Sequence, residues 1–304
     1  MPETSFLKRL APAERGVLYL GLAHLIWGGM AFYLKFLSYI PAWELAMQRA
    51  VWSVPVAGIT LLWQRRFGDV IAILRRPREM AILTFTGMLV AVNWGFYIWS
   101  IEVHRTIEAS LGYYINPMIN VLFGYALLGE RFSKLQAVAI ALACVGVLIQ
   151  TWAVGVFPWL GLFLATTFSV YGLIRKQIPV GPAQGFFVEA SLMAIPSLAI
   201  LLWMGSAGTG HFGREPIETL RIIGLGIMTA APLLLFATGI RLVRYSTAGM
   251  MQYISPTLVW LTAVFILGEP MNAIRLFGFV VIWAALALYT YASLKQDAQS
   301  RKTS

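Results

Sequence analysis

A chain of 304 residues that is 59% hydrophobic and only 12% charged, with a mean hydropathy of +0.74, has more apolar side chains than a water-soluble core can hold, which excludes an ordinary soluble enzyme or binding module. The net charge of +10 would suggest nucleic acid in a soluble protein. Here the basic residues fall between apolar stretches, where they set membrane orientation, so no nucleic-acid partner is expected.

Ten stretches approach the roughly 20 apolar residues that cross about 30 Å of hydrocarbon: 16–37, 42–63, 80–101, 107–128, 136–153, 157–174, 186–204, 219–240, 246–267 and 274–293. Runs such as Val138 to Val147 are continuously apolar and lack the alternation of a barrel strand. The expected fold class is therefore an all-α integral membrane protein of ten transmembrane helices, with the lipid bilayer as its surroundings.

The first span follows Lys8, Arg9 and Arg15, as a secretory signal would, but its full membrane length and its Trp27, Tyr33 and Lys35 predict that it is retained. In the second, Arg49 lies about seven residues in, roughly 10 Å deep. A charge there must be paired or hydrated, and Glu44, Gln48 or an incoming anionic group are the candidate partners. Its role is either in the pathway or in a structural ion pair. The third span carries Asn93, Trp94 and Tyr97, aromatic surface with one amide, as in small-ligand pockets. Single aromatic residues also serve as interfacial belts.

On the fourth span Tyr113, Asn116 and Asn120 are spaced three and four apart and share a face. Their amides can meet a polar cargo or act as glue between helices. Pro117 within that span opposes the carbonyl of Tyr113, and Pro256 in the ninth opposes that of Gln252. Such freed carbonyls are tolerated beside a watery cavity, so both spans are expected to line a pathway, the alternative being a packing kink. Cys144, the single cysteine, excludes an intrachain disulfide and is read as packing. Tyr171 of the sixth span matches Trp27 through the pairs Trp27-Gly28 and Tyr171-Gly172. Glu189, early in the seventh, and Glu44 are the carboxylates placed for proton coupling, because burial makes neutrality accessible; the alternative for Glu189 is a solvated interface. Tyr253 and Ser255 complete the candidate binding residues. His24, His104 and His211 lack metal-ligand spacing, and no glycine-rich phosphate loop is present, so no metal, cofactor or ATP hydrolysis is expected.

Tyr114, Ile115, Pro117, Leu128, Gly129 and Glu130 recur 139 residues later as Tyr253, Ile254, Pro256, Leu267, Gly268 and Glu269. Acidic residues are scarce, so oiliness alone does not produce the paired Pro and Gly-Glu. The matching elements are the fourth and ninth spans, which makes the repeat unit five helices, 1–153 and 154–304. A unit with an odd number of crossings enters the membrane from opposite sides, giving inverted halves about a pseudo-two-fold axis, an architecture suited to alternating access. Glu130 and Glu269 are expected to cap or pin turns. With both termini cytoplasmic, most Lys and Arg face the cytoplasm, whereas the outer side holds Lys35, Arg105, Arg214, Arg221 and Arg275; this is the expected orientation.

The stretch Glu108 to Arg131, EASLGYYINPMINVLFGYALLGER, together with Ile26-Trp27-Gly28, Arg49, Gly146 to Trp152 and QYISPTL at 252–258, resembles the RarD group of the EamA family, in the drug/metabolite transporter superfamily. The likeness covers nearly the whole chain. It implies a ten-helix permease of the bacterial inner membrane, commonly labelled for chloramphenicol resistance and regarded as an exporter, and it singles out Arg49. The second copy departs from the first in Ser255 for Asn116 and in Pro270, which argues against a strictly symmetric site. The expected function is movement of a small organic solute, an amino acid, metabolite or drug such as chloramphenicol, by a monomer. The rival is an intramembrane lipid- or metabolite-modifying enzyme, which needs a dense acid, histidine or nucleophile cluster at one membrane face.

Overall fold

The computed structural model describes residues 9–266 and 273–303, without the side chains of 31, 294 and 296–303. Its elements are α1 Pro12–Lys35, α2 Ala42–Trp63, α3 Phe67–Leu74, α4 Pro77–Glu102, α5 Thr106–Ala126, α6 Lys134–Val154, α7 Trp159–Gln177, α8 Pro182–Ser206, α9 Pro216–Gly239, α10 Tyr245–Met251, α11 Ile254–Leu261, a π-helical turn Thr262–Ile266, and α12 Ala273–Thr303. No strand occurs among the described residues. Helix starts follow local chemistry. Pro12, Pro77, Pro182 and Pro216 open α1, α4, α8 and α9, where the N–H that proline lacks has no intrahelical partner anyway. Ser133 and Gln136 cap α6 reciprocally, at 3.2 and 3.0 Å, and Gly155 ends it at φ 76°, a left-handed turn that glycine adopts without strain.

Eight stretches are long and apolar enough to cross a membrane: α1, α2, α4, α6, α8, α9, Tyr245–Ile266 and Ala273–Ser293. Two further long helices, α5 and α7, have 21 and 19 residues but fall short in apolarity. The polar residues they carry are those that fix them to their neighbours, Asn116 and Asn120 on α5, Thr167 and Ser169 on α7.

Two features depart from the sequence reading. The link between the second and third spans contains α3, whose Val70 and Ile73 are buried while Ile71 and Leu74 are exposed; eight residues are too few to register as a span. The ninth span, expected as one helix, breaks at Gln252 and Tyr253. The break puts Pro256 in the first turn of α11, where it needs no backbone donor, and the carbonyl of Gln252 accepts the N–H of Ser255 at 3.2 Å. Pro117, by contrast, stays inside an unbroken α5.

In the bundle, α2 lies against α8 and α9, α9 also against α1, α4 against α7 and α8, α5 against α7 and α10, α11 against α1, and α6 against α12. Glu130 ties this arrangement together. Its carboxylate accepts the N–H groups of Tyr245 at 2.5 Å and Ser246 at 3.1 Å, and the Ser246 hydroxyl. It therefore caps α10, where a negative charge also meets the positive end of the helix dipole. Gly124 makes room: a Cβ there would sit 2.7 Å from the Glu130 carboxylate. The second Gly-Glu turn, Gly268-Glu269 with Pro270, lies outside the described residues.

Removing this acceptor leaves helix-end donors unpaired, so Glu130→Ala is expected to lower stability by about 1–3 kcal/mol, read as a fall in melting temperature in detergent. Glu79→Ala, which breaks only the loose 3.8 Å pair with Arg76, should cost less than about 1 kcal/mol.

Candidate functional site

The candidate residues fall into three groups along the bundle. In the first, α2 presents Arg49, whose Nε donates to Thr229 Oγ1 of α9 at 3.0 Å. The approach that permits this bond depends on Gly226, where any Cβ would strike the Trp52 carbonyl; Thr229, three residues on, lies on the same face. The guanidinium lies 4.5 Å from the ring centroid of Trp94, a cation–π contact, and within electrostatic range of Tyr97 and Tyr113. The two phenol rings are 6.4 Å apart. Tyr113 is 53% exposed although its ring faces Tyr97 and Arg49, and Arg49, Trp94 and Tyr97 are half-buried, so these four residues border a partly open crevice between helices.

Neither protein partner expected for Arg49 is used. Glu44 is wholly buried and binds His211 instead, taking its N–H at 2.9 Å and meeting Nδ1 at 2.7 Å. Gln48 accepts the indole N–H of Trp52 at 3.1 Å. The reason is helical geometry: residues one and five apart point to different faces.

The second group surrounds Glu189, which is 2% exposed and thus packed rather than solvated. It accepts from Thr86 Oγ1 at 2.6 Å and Tyr171 Oη at 3.4 Å, and Arg175 Nε stands 3.7 Å away. Arg175 had been read as one of the cytoplasmic orientation charges; it is instead 1% exposed along its side chain and donates to the Pro182 carbonyl at 2.9 Å. A sequence signal existed, since Arg175 follows Tyr171 by four residues and shares its face.

Between these groups lies an aromatic cluster. Trp27 packs on Phe236 and Phe168 at 5.5 and 6.0 Å, beside His24 at 5.2 Å. His24 was passed over because it has no metal-like spacing. It is buried, and it faces Ser255, whose hydroxyl sits 3.1 Å from His24 Nδ1 and donates to the His24 carbonyl. Tyr253 donates to the carbonyl of Tyr114, its own repeat mate, at 3.2 Å.

The amides work between helices. Asn93 donates to the Leu164 carbonyl and Thr167 Oγ1, and Asn116 to the Ala165 carbonyl and Ser169 Oγ, all at 2.8 Å. Asn120 donates to Gln252 Oε1 at 3.0 Å. The face shared by Tyr113, Asn116 and Asn120 thus runs from the crevice into packed interior, because Asn116 and Asn120 are buried where Tyr113 is open. Cys144 is exposed, with Met118 Sδ at 3.4 Å. Among the described residues no three His, Cys, Asp or Glu side chains gather to hold a metal.

The model of the EamA-like transporter family matches residues 14–152 and again 157–291. An uncharacterized transporter of Pseudomonas aeruginosa is 42% identical, covering 92% of this chain and 95% of its own. Protein RarD of Escherichia coli is 36% identical, covering 95% and 98%. The chloramphenicol-sensitive protein RarD of Pseudomonas aeruginosa is 29% identical, covering 92% and 95%. A solved crystal structure superposes with a TM-score of 0.69 at 19% identity, over 91% of this chain and 97% of that one, a likeness of fold.

Hydrogen bonds between membrane helices average about 0.6 kcal/mol, so Asn116→Ala, which removes two, is expected to lower unfolding free energy by about 1 kcal/mol in a denaturant titration of purified protein. Tyr113→Phe, changing an open side chain, should stay within about 0.5 kcal/mol.

Proposed function

This chain belongs to the EamA-like transporter family, and from that premise we propose that it carries a small organic solute across the bacterial inner membrane by alternating access through the crevice at Arg49. It is a multi-pass membrane transporter, all-helical among the described residues. The carrying observation is that cluster, where a half-buried arginine and indole meet two phenols, one of them 53% exposed.

The finer proposal is ten crossings in two inverted five-helix repeats, 1–153 and 154–304, with α5 and α7 as the crossings of lower apolarity and α3 as a connector. Its support is the pattern of packing. Exchanging each helix for its counterpart five crossings away turns the α2–α9 pair into α8–α4, α1–α9 into α7–α4, and α5–α7 into α11–α1, all of which occur. The contact of Tyr253 with Tyr114 suits residues beside a two-fold axis. Both termini are placed in the cytoplasm by the distribution of Lys and Arg. The direction is export and the working unit a monomer; the cargo is an amino acid, metabolite or drug, chloramphenicol among them.

Binding residues are Arg49, Trp94, Tyr97 and Tyr113 at the partly open crevice, with Trp27, Asn93, Asn116, Asn120, Tyr171, Tyr253 and Ser255 becoming available as the halves rock. Pro117 and Pro256 mark the two crossings that line the path. Proton coupling falls to Glu189, held by hydroxyls and by Arg175, whereas Glu44 secures the segment carrying His211. The enzyme alternative is set aside, because the family is one of transporters and the 42% identical relative is named a transporter.

Two measurements test this. On a Cys144→Ala background, Arg131→Cys should label with an impermeant maleimide from the cytoplasmic side and Arg105→Cys from the opposite side; labelling from one side would end the proposed topology. In proteoliposomes carrying a pH gradient, uptake of radiolabelled phenylalanine or chloramphenicol without chemical change is expected. Glu189→Gln should abolish the dependence on the gradient, and a gradient-independent wild type would remove Glu189 from the mechanism.

A further inference from the structure

Laying α2 on α8 with an offset of 140 residues pairs Ala50 with Ala190 and Leu61-Leu62-Trp63 with Leu201-Leu202-Trp203. Arg49 then falls on Glu189. The repeat has placed opposite charges at one position, and each holds a threonine of the other half's helix: Arg49 with Thr229 of α9, Glu189 with Thr86 of α4.

The two sites differ in how the charge is answered. Around Glu189 the protein supplies its own counter-charge from α7, Arg175, and both are shut from solvent. The position on α1 that matches Arg175, counted from Trp27-Gly28 against Tyr171-Gly172, is Ala31, a residue type without charge. Among the described residues no carboxylate stands within 4 Å of Arg49, and Glu44, the nearest acidic residue along α2, is fixed on His211. Thr229 occupies only Nε. The two terminal amino groups of the guanidinium remain as a planar fork, the geometry that grips a carboxylate by two parallel hydrogen bonds. Trp94 packs against the guanidinium, its ring centroid 4.5 Å from Cζ, and Tyr97 and Tyr113 form the adjoining wall.

Resting on the permease reading and narrowing its cargo classes, we propose that the favoured cargo bears a carboxylate, seated bidentately on Arg49, and an aromatic or amphipathic body lying against Trp94, Tyr97 and Tyr113, so that neutral chloramphenicol is the poorer fit. The counter-charge that the second half builds into its helix is delivered to the first half by the solute. The same crevice has no described carboxylate to hold a cationic cargo, so cations are disfavoured.

The test is thermal unfolding of the full chain in nonionic detergent with a shape-matched pair that differs in charge, N-acetylphenylalanine and N-acetylphenylalaninamide. The acid is expected to raise the melting temperature by about 2–4 °C at saturating concentration and the amide to leave it unchanged. Arg49→Gln should lose the response, and Arg49→Lys should keep a fraction, since a point charge without the fork remains. The melting temperature of each variant without additive shows that it folds. Inorganic phosphate and phosphatidylglycerol are run alongside. The proposal is overturned by an equal shift from the amide, by no shift from the acid, by an undiminished response in Arg49→Gln, or by phosphate or the lipid reproducing the Arg49-dependent shift. An equal shift from the amide leaves the permease reading intact, whereas absence of uptake in proteoliposomes removes that reading whatever the acid does.

Discussion

A charge at membrane depth has to be answered by the protein, by water or by a solute, because hydrocarbon offers nothing in return. That constraint organises this molecule more than the packing of its apolar surface does. Glu130 is answered by the backbone of α10, Glu189 by hydroxyls and Arg175, and Glu44 by His211. Each solution joins segments far apart in the chain, so the charged residues act as fasteners between helices that lipid alone would not hold in register. Arg49 is the exception. Among the described residues it meets Thr229 through Nε and no carboxylate within 4 Å.

Much of the fold was legible because it follows from a single variable, the length of apolar runs. The second span was placed at 42–63 and α2 is Ala42–Trp63; other ends moved by a few residues as prolines and glycines set the caps. The paired Pro and Gly-Glu stood out in the sequence because proline and acidic residues are rare here. Where the reading went astray, the cause was a tertiary contact with at most a faint linear trace. Arg175 looked like an orientation charge since it neighbours Lys176, yet Gly185 and Glu189 open a place for it inside. The break before Pro256 could not be told from an unbroken kink such as that at Pro117, because both sequences read Tyr-Ile-X-Pro.

The candidate site was legible in its residue types and less so in its grouping. Asn93 and Asn116 looked like cargo ligands as much as structural bonds, and in this conformation their N–H groups hold α7. Arg49, Trp94, Tyr97 and Tyr113 come from three separate helices, and only the packing of α2, α4 and α5 assembles them. His24 and His211 carried no pattern at all, since a histidine bound to one serine or one glutamate needs no spacing rule.

The jointed crossing formed by α10 and α11 has an energetic corollary. On the proposed alternating-access reading, two identical halves would give two rotation-related resting states of equal free energy, each populated by half the molecules without any gradient. One half here contributes an uninterrupted rod, α5, and the other a rod with a knuckle at Gln252 and Tyr253. Under that reading the inequality lifts the degeneracy, and since about 1.4 kcal/mol already gives a tenfold bias, a few altered backbone bonds would be enough to set which mouth stands open at rest.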